Sequence, residues 1–190
     1  MNPLSPDERS VVADVIGARR TIHTFLPDPP PEAIILRALE RARWAPNHKL
    51  TEPWRFYLLG SETAEAVARL NAEIVTERKG AQAGRNKLAR WRTMPGRLVI
   101  TCRKAGDPHR EREDYAACCC AAQNLMLVLW SEGIGTKWST APATRDPRFF
   151  ELLGIDPAEE TVVGLFWYGY PAEQPEKRRR PVAEVLKRLP

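Results

Sequence analysis

Val11, Val12, Val15 and Ile16 recur at helical spacing behind Ser5-Pro6-Asp7-Glu8. A Ser cap, a Pro in the first turn and a Glu three residues after the cap are helix-start signals. The pattern predicts a helix with those four side chains turned inward, ending near residues 17–19. Arg19-Arg20-Thr21-Ile22-His23 then reads as an extended segment or turn, and Pro27 to Pro31 as a stiff connector. A second helix is expected from about Pro31 through Ile35, Leu36 and Leu39 to Trp44, where Ala45-Pro46 stops it. Asn47 to Pro53 is polar and reads as a loop. Arg55 to Gly60 reads as a strand, and Glu62 to about Arg78 as a helix with Ser61 as its cap. Gly80 to Gly96 is basic, contains glycine and fits no period. Leu98-Val99-Ile100-Thr101-Cys102 marks a short buried strand within Arg97–Arg103.

The longest expected helix is Glu111–Glu132. From Ala116 to Trp130 it is apolar or small on nearly every face, apart from Gln123 and Asn124. Such a helix is buried on several sides, either centrally or in an interface. Gly133-Ile134-Gly135 ends it, and Thr136 to Thr144 reads as a loop. Asp146-Pro147 starts a short helix that stops at Leu153-Gly154, and Thr161–Tyr170 is the third clear strand. The tail from Pro171 to Arg180 is extended, and Pro181 to Arg188 reads as a short helix. Helices dominate and strands are few, which places the chain in the α+β class.

Composition adds limits. Apolar residues make up 43% and charged residues 28%, as in an ordinary soluble globular protein. The longest apolar runs, Leu125–Trp130 and Val162–Tyr170, are too short to span a membrane. No secretory leader is visible, so the expected compartment is the cytoplasm. Three of the four cysteines are consecutive, Cys118-Cys119-Cys120. On a helix they point in divergent directions and read as small buried hydrophobes in a reducing compartment. The net charge is +5, yet residues 76–112 hold eleven Lys or Arg against Glu77, Asp107 and Glu111, a local +8. This stretch reads either as a solvated helix face or as an attractor of anions. For a nucleic-acid groove, interleaved aromatics are expected, and Trp91 is the only aromatic between 76 and 112.

Neither common nucleotide-binding glycine motif occurs, and there is no Gly-x-Ser-x-Gly elbow. His23, His48 and His109 have no metal-ligand spacing with cysteine or one another. An enzyme with these residues would rely on a bound organic cofactor. Arg19-Arg20-Thr21 offers two cations and a hydroxyl directly after a helix, a phosphate-binding group. Lys177-x-Arg179 is a second phosphate candidate. Ala45-Pro46-Asn47-His48-Lys49 and Glu52-Pro53-Trp54-Arg55-Phe56 fix a polar path from helix to strand. Gly133-Ile134-Gly135-Thr136-x-Trp138-Ser139-Thr140 joins backbone freedom to hydroxyls and an aromatic.

In this order these segments resemble the FMN-dependent nitroreductase family. The matching pieces are Arg19-Arg20-Thr21, Pro27-Asp28, Ala42-Arg43-Trp44-Ala45-Pro46-Asn47, Glu52-Pro53-Trp54-Arg55-Phe56, Gly133-Ile134-Gly135-Thr136 and Gly169-Tyr170-Pro171. The resemblance covers roughly residues 10–188. It implies a nitroreductase-like α+β fold with a small, mostly antiparallel sheet flanked by helices. It also implies one domain over 1–190, with 171–190 as an extended arm embracing the partner subunit of a homodimer. FMN is the implied cofactor, NADH or NADPH the co-substrate and a nitroaromatic, quinone or similar small molecule the acceptor. Neither nucleic acid nor membrane is implied as a partner.

By resemblance, Arg19 and Thr21, with Arg20 beside them, bind the FMN phosphate and ribityl chain, and Lys177 and Arg179 reach the phosphate. His48 approaches FMN from the other subunit, and Trp138, Ser139 and Thr140 pass the isoalloxazine ring. Trp44 stands at a cofactor-site position where the compact subgroup has Arg. His23 stands where many members have a Lys near flavin N1, and Glu52 replaces the usual Gln. No catalytic side chain and no metal are implied, because flavin N5 carries the chemistry. The alternatives are a flavin enzyme of the same fold with a specialised substrate, such as a dehalogenase or dehydrogenase, and a basic nucleic-acid-binding module.

Overall fold

The computed structural model describes residues 6–190, so the expected Ser5 cap lies outside the described residues. In chain order the elements are α1 (Pro6–Ala18), α2 (Glu32–Ala42), β1 (Trp54–Leu58), α3 (Ser61–Lys79), α4 (Ala81–Arg92), β2 (Gly96–Arg103), α5 (Pro108–Ser131), β3 (Gly135–Ser139), α6 (Pro147–Leu153) and β4 (Glu160–Gly169). The four strands form one antiparallel sheet in the order β1-β2-β4-β3. Strand alternation sends Leu98, Ile100 and Cys102 of β2 toward α2 and α5. It sends Val99 of β2 and Leu165 and Trp167 of β4 toward the layer of α3, α4 and α6. The sheet is thus the middle of three layers.

Between β2 and β4 the pairing jumps from Ile100–Gly164 to Thr101–Val162, leaving Val163 unpaired in a bulge. The indole N–H of Trp138 donates to the Val163 carbonyl at 3.0 Å. Gly164 makes room for that indole: a Cβ there would lie 2.1 Å from the ring nitrogen.

Five expectations change. Residues 136–144 are not all loop, because Gly135–Ser139 forms edge strand β3. Residues 80–96 contain helix α4, whose buried residues are only Gly84 and Trp91. Ser61 opens α3 instead of capping it, and Gly60 holds the cap position without a side-chain bond. Helix α5 begins at Pro108, three residues early, because the Asp107 carboxylate accepts the Arg110 N–H at 3.1 Å and caps it. The C-terminal helix is reduced to one 3₁₀ turn, Val182–Glu184. Residues 181–190 are all exposed, and a helix this short does not persist without packing.

The α1 side chains are also not as expected. Val11, Val12 and Ile16 are 61%, 49% and 55% exposed, and only Val15 is half-buried. The apolar stripe of α1 faces away from the core of its own chain. In α5, Ala121, Ala122, Leu125 and Leu129 are buried, whereas Ala116, Cys120 and Gln123 form an exposed stripe at helical spacing. Among the described residues, no helix is long and apolar enough to cross a membrane. Trp91 is buried, edge-on to Trp167 at 5.1 Å, and offers no face on which a base could stack.

Candidate functional site

The segment after α1 lies along the outer edge of β3. The Ile22 N–H donates to the Thr136 carbonyl at 3.0 Å, and Thr21 pairs with Thr136 in parallel. Gly135 lies flat against Ile22, where a Cβ would come within 2.3 Å of Cγ1. The tail leaving β4 runs beside the same segment. Leu26 N–H donates to Tyr170 O at 2.8 Å, and Ala172 N–H to Thr24 O at 3.0 Å. The Thr24 hydroxyl donates to the Glu173 carboxylate at 2.9 Å. Residues from the two ends of the chain therefore meet at one edge of the sheet.

That meeting concentrates positive charge. Burial, then Arg179, then Arg20 push the Arg19 guanidinium below its ordinary pKa. Burial, then Arg90, then Lys87 lower the Lys137 ammonium. His23 is lowered by its limited burial, then by Lys137, Arg90 and Lys177, against a smaller opposing effect of Glu173. The shift disfavours the charged form of His23. Among the described residues, none of Arg19, Arg20, His23, Arg90, Lys137, Lys177 and Arg179 joins a salt bridge. Like charges that outnumber the one nearby carboxylate, Glu173, and pair with none favour a bound anion. Arg20 is already engaged within its own chain, where Nη1 donates to Gly17 O at 2.6 Å and to Arg19 O at 3.0 Å and closes the end of α1.

Next to this cluster a cavity of about 630 Å³ opens between the α3–α4 hairpin and β3. Arg78, Lys79, Lys87, Arg90 and Lys137 line it, and no carboxylate does. The groove on the outer face of the same hairpin sets Glu73 and Glu77 against Arg69 and Arg85 and lacks this single-signed charge. The cavity also holds unpaired polar groups. Asn71 is 1% exposed, and both its amide nitrogen and its amide oxygen lack a partner. The indole nitrogen of Trp167 is likewise unpaired. Each such group costs about 1–3 kcal/mol until it is satisfied. Lys137 Nζ sits 4.4 Å from the centroid of the Trp167 ring. The arrangement suits a ligand with an anionic end for Arg19 and Arg179 and a polar aromatic end for Asn71, Trp167 and Lys137.

Of the expected site residues, Arg19, Arg20, Thr21, His23, Lys177 and Arg179 come together at the β3 edge. Ser139 lines the cavity, and Thr140 is exposed just beyond the strand. Trp138 turns to the opposite face, its ring 5.0 Å from Phe166. Trp44 and His48 lie elsewhere. Trp44 is 72% exposed, and His48 Nδ1 faces Glu113 near the start of α5 at 3.5 Å. The Arg19 cluster lies near the other end of α5, where Ile134 N–H bonds Leu129 O just before β3. Eighteen positions separate Glu113 from Ser131, about 27 Å of helix. One chain alone does not unite these groups.

The loop that carries His48 is strained. Lys49, Leu50 and Glu52 have φ of 58°, 51° and 43°, in the left-handed region that side chains disfavour. Asn47 Oδ1 accepts the Glu52 N–H at 3.0 Å and holds the loop in this shape, with Leu50 81% exposed.

The sequence reading missed Lys137, Asn71 and Arg90. Lys137 was detectable from its place two residues before Ser139 once 135–139 is read as a strand, since both then share a face.

The nitroreductase family model matches residues 16–170. The chain belongs to the nitroreductase family. The Bacillus subtilis protein named "Putative NAD(P)H nitroreductase YfhC" is 34% identical over 186 residues, 93% of each chain. The crystal structure of a nitroreductase-like family protein from Bacillus cereus superposes with a TM-score of 0.84 at 31% identity, over 100% of this nitroreductase-family chain and 98% of that one. The FMN-dependent nitroreductase NfnB from Mycobacterium smegmatis, in complex with NADPH, shares the fold with a TM-score of 0.79 at 16% identity, covering 97% and 100%.

Proposed function

We propose that this chain is an FMN-dependent oxidoreductase that carries electrons from NADH or NADPH to a small acceptor such as a nitroaromatic or quinone. The single observation that carries the reading is the carboxylate-free cavity, with its unpaired Asn71 amide and Trp167 indole N–H, opening beside the Arg19–Arg179 cluster. The residues fit FMN. Arg19, Lys177 and Arg179 would hold the phosphate, with the Thr21 hydroxyl beside them. Asn71 offers a donor and an acceptor to the polar edge of the ring, and Lys137 adds a cation. Bound flavin supplies the hydride and electron transfer, and the protein supplies orientation and charge. Packed between sheet and hairpin, Trp91 and Trp167 close the inner side of the cavity to water.

The active form in this reading is a homodimer. His48 would come to the site of one subunit from the other on the strained loop, with Trp44 on the exposed turn that precedes it. Three apolar surfaces lack cover within the chain: Val11, Val12 and Ile16 of α1, the Ala116–Cys120 stripe of α5, and Val182, Val185, Leu186 and Leu189 of the tail. Exposed apolar side chains grouped on one element in this way favour an interface. We take residues 1–190 as one folded unit whose segment 171–190 is the arm that embraces the partner. The four unpaired cysteines favour a reducing compartment, the cytoplasm.

The test is direct. The purified protein should carry, or take up, one FMN per chain, and NADH or NADPH should bleach the flavin absorbance under anaerobic conditions. A folded protein that binds no flavin at micromolar concentration would overturn the proposal.

A further inference from the structure

We propose that Lys137 is the cation that stabilises reduced flavin in this protein, a role for which the sequence alone offers His23. The inference rests on the FMN reading above and concerns which side chain sets the potential of the bound cofactor.

Lys137 leaves β3 on the cavity side, half-buried, with its ammonium 4.4 Å from the Trp167 ring centroid. The ring face fixes the direction of the long side chain. Arg90 and Lys87 from α4 act on Lys137, Arg78 and Lys79 from α3 line the same cavity, and His23 from the segment after α1 faces Lys137 together with Arg90 and with Lys177 and Glu173 from the tail. Arg90 is exposed, so water and salt screen its charge. Burial first, and then Lys137, Arg90 and Lys177, oppose protonation of His23. Lys137 and Lys87 both combine a charge with partial removal from water, and of the two only Lys137 lies against the Trp167 ring, although its neighbours make that charge less comfortable without an anion.

Reduction places negative charge on the pyrimidine portion of a flavin, and the oxidised ring there is neutral. A fixed, partly desolvated cation therefore favours the reduced form over the oxidised one. The buried Asn71 amide, unpaired on both atoms and lining the same cavity, marks where a polar ring edge would lie. Strand geometry makes the assignment specific to this position, since Trp138 points to the other face.

The experiment is an anaerobic redox titration of bound FMN in the wild type and in Lys137→Met, Lys137→Arg and His23→Gln. Flavin affinity of each oxidised protein is measured separately by fluorescence quenching. Lys137→Met should weaken binding of reduced relative to oxidised FMN about tenfold, a fall of about 30 mV for a two-electron couple. Lys137→Arg should keep the wild-type potential. His23→Gln should leave it unchanged.

A Lys137→Met protein holding stoichiometric FMN at the wild-type potential overturns the assignment and leaves the proposed function standing. If Lys137→Met loses oxidised FMN, Lys137→Gln is titrated in its place. Loss from both, with folding intact by circular dichroism, makes Lys137 a binding residue for oxidised flavin and also overturns the proposal. Failure of the wild type to bind flavin rejects the FMN reading itself.

Discussion

Arg19 and Arg20 are adjacent in sequence yet serve different ends. Arg19 faces Arg179 and no carboxylate, so an anion is its natural partner. Losing one charge-assisted contact costs about 1.5–3 kcal/mol, or roughly 10- to 150-fold in affinity. Arg19→Ala should weaken FMN by that factor in a fluorescence titration. Arg20→Ala should mainly lower the melting temperature, since its guanidinium closes α1 on the Gly17 carbonyl. Trp138 permits a similar separation of roles. Trp138→Phe removes the donor to the Val163 bulge and should cost about 1 kcal/mol in a denaturant titration, with little change in flavin affinity. The residue types of Arg19, Thr21, Lys177 and Arg179 suggested phosphate in the sequence, and the fold brings them to one edge of the sheet. Lys137 was hidden because its place in the cavity comes from a strand face and a tryptophan thirty residues away, which no local motif records.

The α3–α4 hairpin forms the cavity wall, and its spacing depends on Gly84. A Cβ there would lie 1.8 Å from the Thr76 hydroxyl and 2.8 Å from the Ala72 carbonyl. The hydroxyl can rotate away but the carbonyl cannot, so Gly84→Ala should push α4 outward. It should cost about 1–3 kcal/mol of stability and weaken flavin binding as well. An exposed ion pair fastens the same hairpin. Arg92 donates to Glu65 at 2.5 and 3.0 Å, and Arg69 adds a bond at 2.7 Å. Chiefly through the Arg92 bond, the Glu65 carboxyl is held at about 2, below its ordinary 4.5. A lowered carboxylate contributes stability above its unfolded value and loses it as pH falls toward the folded one. Glu65→Gln should therefore melt slightly below the wild type at pH 7, and the gap should narrow between pH 4.5 and 2. Helix α4 gave no periodic signal because it buries only Gly84 and Trp91, so no apolar stripe exists to be seen. Strands β1, β2 and β4 were legible from their β-branched and aromatic runs. Edge strand β3 was not, since Thr136 and Lys137 look polar until their pairing with β4 is known. The α1 stripe was visible, but the spacing that suggests an inward face is the same whether or not that face meets its own core, and here it does not.

Across the whole molecule the uncovered surfaces should be matched by a second copy. Light scattering should give a dimer of 21.5 kDa chains, with flavin in the dimer fraction. Ala116→Arg or Cys120→Arg places a charge on the exposed α5 stripe and should yield folded monomers that lose FMN. Ala122 is no probe of assembly, because it is fully buried in its own core and a charge there would unfold the chain. A wild-type monomer retaining stoichiometric FMN would refute the shared site. The distance between His48 and the Arg19 cluster has a kinetic meaning. When each site needs groups from opposite ends of two α5 helices, subunits below their dissociation constant contribute no turnover. Flux then rises with the square of chain concentration before becoming proportional to it. A dilution series of initial rates should show that change of order. In a cell, the same dependence would keep newly made single chains from reducing oxygen wastefully before they meet a partner.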